Sequence, residues 1–245
     1  MASNSETGHA KNIANFETLI TRCAGYGTDY NPSNPLLDID ALRTLHTESK
    51  VDLNQVSVAK SPYDFIEGKR KTMFQPYGSL ATQIMASLQS SGASETVIND
   101  AKTIYRKMQG RRAPGTMPET KEGETPKDRI SVSQQSYDMK IEHLDKMIEH
   151  LNIETAYRPN EEKLKIESLK NYKQELEVIN SKVKNAYVPY SQALNARNRK
   201  LYAPETGLVA RAQLVKKYVK SIYKTQSPEY KMISKLPFKF LVEIQ

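Results

Sequence analysis

The sequence predicts an all-α protein built as a tandem duplication of an antiparallel helical bundle, with about four helices in each copy. Two observations lead to this fold class. Apolar residues recur at the three- and four-residue spacing of amphipathic helices, and proline- or glycine-containing breaks separate the resulting stripes. Breaks and stripes then return together in the second half of the chain, in the same order and at a nearly constant offset.

The repeat is clearest where breaker residues and apolar stripes coincide. The Tyr-Asn-Pro at 30–32 returns as Tyr-Arg-Pro at 157–159, and the Pro-Tyr pair at 62–63 returns at 189–190. Between them, Leu37, Ile39, Leu42 and Val56 correspond to Leu164, Ile166, Leu169 and Val183. The first apolar stripe also has a counterpart, at an offset that is larger by one residue. It pairs Ile13, Phe16, Leu19, Ile20 and Cys23 with Ile141, Leu144, Met147, Ile148 and Leu151. Chance would not align both kinds of signal, so we infer a duplication.

The boundary between the copies is expected where the composition changes. Residues 109–133 alternate glycine and proline with charged residues and contain almost no large apolar side chain, which is typical of a linker. We therefore expect a first helical bundle copy at 1–108 and a second, with a basic C-terminal region, at 134–245. Each copy is large enough to fold alone, and both separate domains and one merged bundle agree with the sequence.

Caps and prolines predict the helix boundaries inside each copy. Proline lacks an amide hydrogen and clashes with the preceding turn, so Pro62 and Pro189 predict equivalent junctions where a helix kinks or a new helix starts. Accordingly, the second helix of the second copy is expected over about 160–185. The predicted helix N-caps are Asn34, Ser61, Ser94 and Ser227.

Composition bears on the cellular setting. No stretch approaches the roughly 18 apolar residues of a membrane helix, and the first residues lack the basic head and apolar segment of a secretory signal. The single cysteine, Cys23, excludes an internal disulfide, and its place in an apolar stripe predicts a buried structural thiol. We therefore expect a cytoplasmic protein without a membrane span.

Catalytic and metal-binding patterns are missing from the sequence. There is no phosphate-binding glycine loop, no dinucleotide fingerprint, no HExxH, no GxSxG and no CxxC. The heptad that repeats Ile-Glu-His-Leu puts His143 and His150 seven residues apart, too far for two ligands of one metal on a single helix, so we expect both on a solvated flank. We predict no enzyme activity, no catalytic residue, no cofactor and no metal.

The most informative functional signal is the basic C-terminal third. The net charge of +8 concentrates there, since residues 184–239 carry 12 basic residues and two acids. Cations interleaved with tyrosines can neutralise phosphates and stack on bases, although lysine-rich helix faces and boundary tyrosines are also ordinary features of a folded bundle. The candidate polyanion-binding residues are Arg197, Arg199, Lys200, Lys216, Lys217, Lys220 and Lys224.

The C-terminal end of the sequence carries a resemblance that implies a bacterial setting. The C-terminal run SPEYK at 227–231, followed by LPFKF at 236–240, resembles a group of uncharacterised duplicated helical proteins of Bacteroidetes-type bacteria. The resemblance implies a helical cytoplasmic protein and supplies no functional residues. From the sequence we expect a non-enzymatic structural or protein-interaction protein, with a protein partner or self-association. The alternative is sequence-independent binding of nucleic acid or another polyanion through the basic third.

Overall fold

The computed structural model describes residues 4–111 and 135–241, with side chains from residue 8 onward. Within those residues the chain is helical and contains no strand, which confirms the all-α prediction. The α-helices in chain order are α1 (Asn4–Ala24), α2 (Ile39–Phe74), α3 (Tyr77–Ser90), α4 (Glu95–Met108), α5 (Tyr137–Ile153), α6 (Ile166–Tyr202), α7 (Leu208–Tyr223) and α8 (Pro228–Ser234). Short 3₁₀ turns at Pro35–Leu37 and Glu162–Leu164 precede the two longest helices.

Three of the four predicted N-caps are confirmed. The side chains of Ser94 and Ser227 accept hydrogen bonds from backbone amides in the first turns of α4 and α8, and Asn34 does the same for the 3₁₀ turn that begins with Pro35. Ser136 caps α5 in the same way. Each cap satisfies an amide that has no partner inside its own helix, which fixes where the helix begins.

The two helix-breaking prolines do not break their helices. Pro62 lies inside α2, which is 36 residues long, and Pro189 lies inside α6, which is 37 residues long. The predicted start of a new helix at each proline, the predicted cap at Ser61 and the predicted helix over 160–185 are therefore wrong. Both prolines are exposed, so water can solvate the carbonyl that each one leaves unbonded, and buried residues on either side hold the helix together.

The described chain divides into two compact units. Unit 1 comprises Met1–Tyr63 with Ala186–Gln245, and unit 2 comprises Asp64–Asn185. These units cut across the predicted copies, because each takes segments from both 1–108 and 134–245. Most of the predicted linker at 109–133 lies outside the described residues. The division into repeats stays a prediction about the sequence, whereas the packing divides the chain within α2 and α6.

Unit 1 has its own core, in which α1 and the first part of α2 pack with the end of α6, α7 and α8. The stripe of α1 is buried, as expected, and α1 packs on α7. The 3₁₀ turn at Pro35–Leu37 also packs on α7. The ring of His9 on α1 lies 5.5 Å from the ring of Tyr202 at the end of α6. The N-terminal stripe therefore finds its partner near the C-terminus.

Unit 2 repeats these relations with the halves exchanged. The stripe of α5 is buried against α3 and α4, and the 3₁₀ turn at Glu162–Leu164 packs on α3. The ring of Tyr137 on α5 lies 4.7 Å from the ring of Phe74 at the end of α2. In the predicted repeat, Tyr137 is the equivalent of His9 and Phe74 is the equivalent of Tyr202. The stripe of the second half therefore packs on helices from the first half.

Candidate interaction surfaces

Three of the seven predicted polyanion-binding residues are engaged inside unit 1. Arg197 is 3% exposed, and its guanidinium donates to the side-chain oxygen of Asn198. Lys200 forms an ion pair with Glu48 at 2.7 Å. Lys216 is half-buried and donates to the main-chain oxygens of Ser234 and Leu236, and burial lowers the pKa of its ammonium group. Part of the basic third therefore holds the fold together.

The remaining four residues, Arg199, Lys217, Lys220 and Lys224, are exposed. Lys217 and Lys220 lie on α7, and Lys224 follows its last residue with a φ of 64°. None of the three lysines forms an ion pair with a described residue. A spacing of three residues puts Lys217 and Lys220 on one side of α7, and Lys224 follows at the C-terminal end, where the helix dipole favours positive charge. We call these three lysines the lysine face. They are the exposed part of the predicted cationic surface that lies on α7 and directly after it.

A charged cleft of about 420 Å³ opens on unit 1 beside Lys200. Its walls include two acids, Glu48 and Asp52, and three cations, Arg199, Lys200 and Arg211. The Nε of Arg211 is buried and has no hydrogen-bond partner among the described residues. Burial lowers the pKa of this guanidinium and Glu48 opposes that effect. The acids offset most of the positive charge, so the cleft favours polyanions far less than the lysine face does.

The histidines occupy different places from those the sequence suggested. His143 is 1% exposed, so its predicted position on a solvated flank is wrong. His150 is half-buried, with Nε2 2.9 Å from the main-chain oxygen of Val97 on α4. The reason is that α4 covers α5 on this side, and a helix packed on two neighbours buries more than one stripe. Among the described residues no group of three or more His, Cys, Asp or Glu side chains could hold a metal ion.

Cys23 is fully buried, which confirms the prediction of a structural thiol. Burial raises the pKa of its thiol to about 12. The thiolate is the reactive form of cysteine, and at neutral pH this residue is a small apolar side chain within the core of unit 1.

Three tyrosines form a surface cluster on unit 1. Tyr63 comes from α2, and Tyr187 and Tyr190 come from α6. The ring of Tyr63 lies 5.5 Å from that of Tyr190 in a stacked arrangement and 5.6 Å from that of Tyr187, and the latter two rings are 6.2 Å apart. None of the three hydroxyl groups makes a hydrogen bond to a described residue. We call these three residues the tyrosine cluster.

Two exposed apolar residues lie near the tyrosine cluster in the sequence. Tyr187 is 48% exposed and its neighbour Val188 is 52% exposed. Val58, about one turn before Pro62 on α2, is 57% exposed. Partly exposed tyrosines whose hydroxyl groups no described residue bonds combine apolar area with hydrogen-bonding capacity, which is the composition of protein-binding surfaces.

The sequence predicts Tyr187 and Tyr190 either as rings that stack on bases or as packing residues at element boundaries, and it does not place Tyr63 in contact with them. One signal could have done so. Tyr63 and Tyr190 occupy the same position of the predicted repeat, and each directly follows a proline. The two prolines therefore mark the place where α2 and α6 bring tyrosine rings into contact within unit 1.

Comparison with known proteins adds no family to this description. No protein-family model, no curated protein and no solved structure matches the chain. The resemblance to duplicated helical proteins of Bacteroidetes-type bacteria therefore stays a prediction. Among the described residues, no helix has both the length and the apolar character needed to cross a membrane.

Proposed function

We propose that the protein is a non-enzymatic interaction protein and that the tyrosine cluster of unit 1 is its protein-binding surface. The observation that carries the proposal is the contact between Tyr63, Tyr187 and Tyr190 at the surface, with hydroxyl groups that no described residue bonds. Tyrosine is enriched among residues that dominate binding energy, because it buries a large ring at a small cost in side-chain entropy. The partner is a protein surface with apolar side chains and hydrogen-bond acceptors.

The test is affinity capture from extracts of the cell that makes the protein, with quantitative comparison of variants. Replacing both Tyr187 and Tyr190 by alanine should weaken retention of the specific partner by about 30-fold or more, as expected for loss of about 2 kcal/mol at a dominant contact. Ile153→Ala is the matched control, because Ile153 is 81% exposed and lies on unit 2. Partners retained equally by the double variant and by the wild-type chain would contradict the proposal.

A second proposal is sequence-independent binding of nucleic acid or another polyanion to the lysine face. It is supported by the exposure of Lys217, Lys220 and Lys224 and by their lack of ion pairs with described residues. Each phosphate contact contributes about −0.9 to the slope of log K against log salt concentration. Replacing all three lysines by alanine should therefore make that slope shallower by about 2 to 3.

The matched control for the lysine face removes the same charge elsewhere. Lys163, Lys170 and Lys182 are exposed residues of unit 2, and their replacement by alanine changes the net charge equally. Equal weakening by both triple variants would indicate an effect of net charge alone. No binding of either duplex or single-stranded DNA by the wild-type chain at low salt would remove this second proposal.

We also propose that the chain arose by duplication of one helical bundle of about four helices, and that the copies exchanged partners when they packed. Corresponding contacts support this history. Tyr30 donates to the main-chain oxygen of Leu37 at 2.8 Å, and Tyr157 donates to that of Leu164 at 2.9 Å. Both pairs are buried, and they occupy equivalent positions of the repeat. The single buried cysteine supports a reducing compartment, so the cytoplasm is the setting we propose.

A further inference from the structure

The C-terminal segment, residues 236–241, lies against unit 1 without helix or strand. It follows α8, which is only 7 residues long. Side chains from α1, α6 and α7 contact it, and Leu236, Phe238 and Leu241 pack against the core of unit 1. An extended segment that packs on helices is not part of a β-sheet, so its main-chain N–H and C=O groups must find other hydrogen-bond partners.

Three side chains supply those partners. The amide of Asn12 forms two hydrogen bonds with one residue, donating to the oxygen of Lys239 at 2.8 Å and accepting from its nitrogen at 3.1 Å. Asn15 donates to the oxygen of Pro237 at 2.7 Å. Lys216 donates to the oxygen of Leu236. Two helices thus bind four main-chain atoms of the segment through side chains alone.

The side chains of the segment make a second set of contacts. The ring of Phe238 packs edge-on against buried Phe16 at 6.5 Å, and the ammonium group of Lys216 lies 5.2 Å from the centre of the same ring. Leu241 fills the space that Gly8 leaves open, since a Cβ on Gly8 would lie 2.5 Å from a methyl group of Leu241. The side chain of Lys239 is exposed to solvent. The groove therefore recognises Phe238 and Leu241 by shape and residue 239 by its main chain.

We infer that this groove of unit 1 is a binding site for an extended peptide of the type Leu-Pro-Phe-x-x-Leu, and that the chain's own C-terminal segment occupies it in the resting protein. Main-chain hydrogen bonds with pockets for particular side chains are the usual chemistry of extended-peptide recognition. The segment has no helix or strand of its own and is attached through one short helix, so it can leave without unfolding the helices beneath it. The site is separate from the tyrosine cluster and does not depend on it.

Attachment in the same chain gives the segment a high effective concentration, which disfavours a competing free peptide. A variant that loosens the segment should therefore bind the free peptide better. Lys239→Pro does so selectively, because proline has no amide hydrogen for Asn12 to accept while the preceding residue stays extended. Lys239→Ala is the matched control, because it removes the exposed side chain and keeps both main-chain hydrogen bonds.

The experiment measures fluorescence anisotropy of a labelled peptide of residues 235–241 with full-length chains. The Lys239→Pro chain should bind this peptide at least fivefold more tightly than the wild-type and Lys239→Ala chains do. Adding Asn15→Ala to Lys239→Pro should weaken peptide binding about fivefold, because it removes the hydrogen bond to the main-chain oxygen of Pro237. A peptide with the same composition in scrambled order should not bind.

Circular dichroism first establishes that the Lys239→Pro chain keeps its helices, and Phe238→Ala serves as the loosened variant if it does not. A folded, loosened chain that fails to bind the peptide would overturn the inference. So would peptide binding that Asn15→Ala leaves unchanged. A wild-type chain that sediments at twice its mass with the segment exchanged between copies would also overturn the assignment of the groove to a separate peptide.

Discussion

Tyr30 and Tyr157 hold the two turns that lead into the long helices. Each buried hydroxyl donates to a main-chain oxygen seven residues later, that of Leu37 or Leu164. Replacing either tyrosine by phenylalanine leaves a buried carbonyl without this donor and should lower the free energy of unfolding by about 1 to 2 kcal/mol. Urea denaturation of both variants measures the loss. Unequal effects, with one variant as stable as the wild type, would mean that the two turns are not equivalent.

The burial of Cys23 predicts an unreactive thiol. Its pKa is raised to about 12, so almost no thiolate exists at pH 8, and the side chain is shielded from solvent. Reaction with an aromatic disulfide reagent at pH 8 should therefore proceed at the rate of unfolding and become fast in denaturing urea. Immediate stoichiometric labelling of the native chain would contradict the packing of α1.

Alkaline pH should destabilise the protein. The pKa of Cys23 and that of Tyr157 are both raised to about 12 by burial, from ordinary values of 9.0 and 10.0. Between pH 9 and 12 the unfolded chain loses these protons while the folded chain keeps them, so the free energy of unfolding falls as pH rises. Thermal melting midpoints across this range measure the effect. A midpoint that is constant or rises up to the top of this range would show that these groups are solvated in the folded state.

At the residue scale, local signals predicted local features. Ser94 and Ser227 could be recognised as N-caps because a cap depends only on the residues that follow it. The contact of His150 with Val97 could not, because it depends on how α4 packs on α5, which the spacing of residues within α5 does not record. The main-chain contacts of Asn12 and Asn15 with the C-terminal segment join the two ends of the described chain, and no periodicity records such a pair.

At the scale of the helix, Pro62 and Pro189 cost stability where they stand. Proline in a helix interior is about 3 kcal/mol less favourable than alanine. Proline also lowers the conformational entropy of the unfolded chain, which offsets roughly 1 kcal/mol of this cost. Because both positions are exposed, alanine loses no packing there. Pro62→Ala and Pro189→Ala should each raise the free energy of unfolding by roughly 2 kcal/mol, the difference between these two effects. Urea denaturation of each variant measures the gain.

A fall in stability in either proline variant would mean that the bend or the missing hydrogen bond of that helix supports contacts around it. The control is Ala59→Gly, which lies in the same helix as Pro62 and should lower stability by about 1 kcal/mol, mainly through helix propensity, because the substitution removes only one half-buried methyl group. The sequence predicted a break at each proline because proline is a strong local signal. The continuous helices result from burial on both sides of the proline, which a local signal does not contain.

At the scale of the molecule, the sequence indicated a repeat but not the partner of each stripe. The stripes of α1 and α5 are visible in the sequence, and both are buried. Packing within its own half of the chain would bury each stripe equally well. Only tertiary packing distinguishes these arrangements, and the compact units show that the stripe of each half packs with helices from the other half.

The most direct test of this exchange is to produce residues 1–111 and 135–245 as two separate chains. If each unit needs segments from both, neither fragment alone can complete a core. Each should then show low helicity by circular dichroism, and co-expression with a tag on one fragment should recover a stable one-to-one complex with the helicity of the intact protein. Two fragments that each fold fully as monomers and do not associate would contradict the exchanged packing.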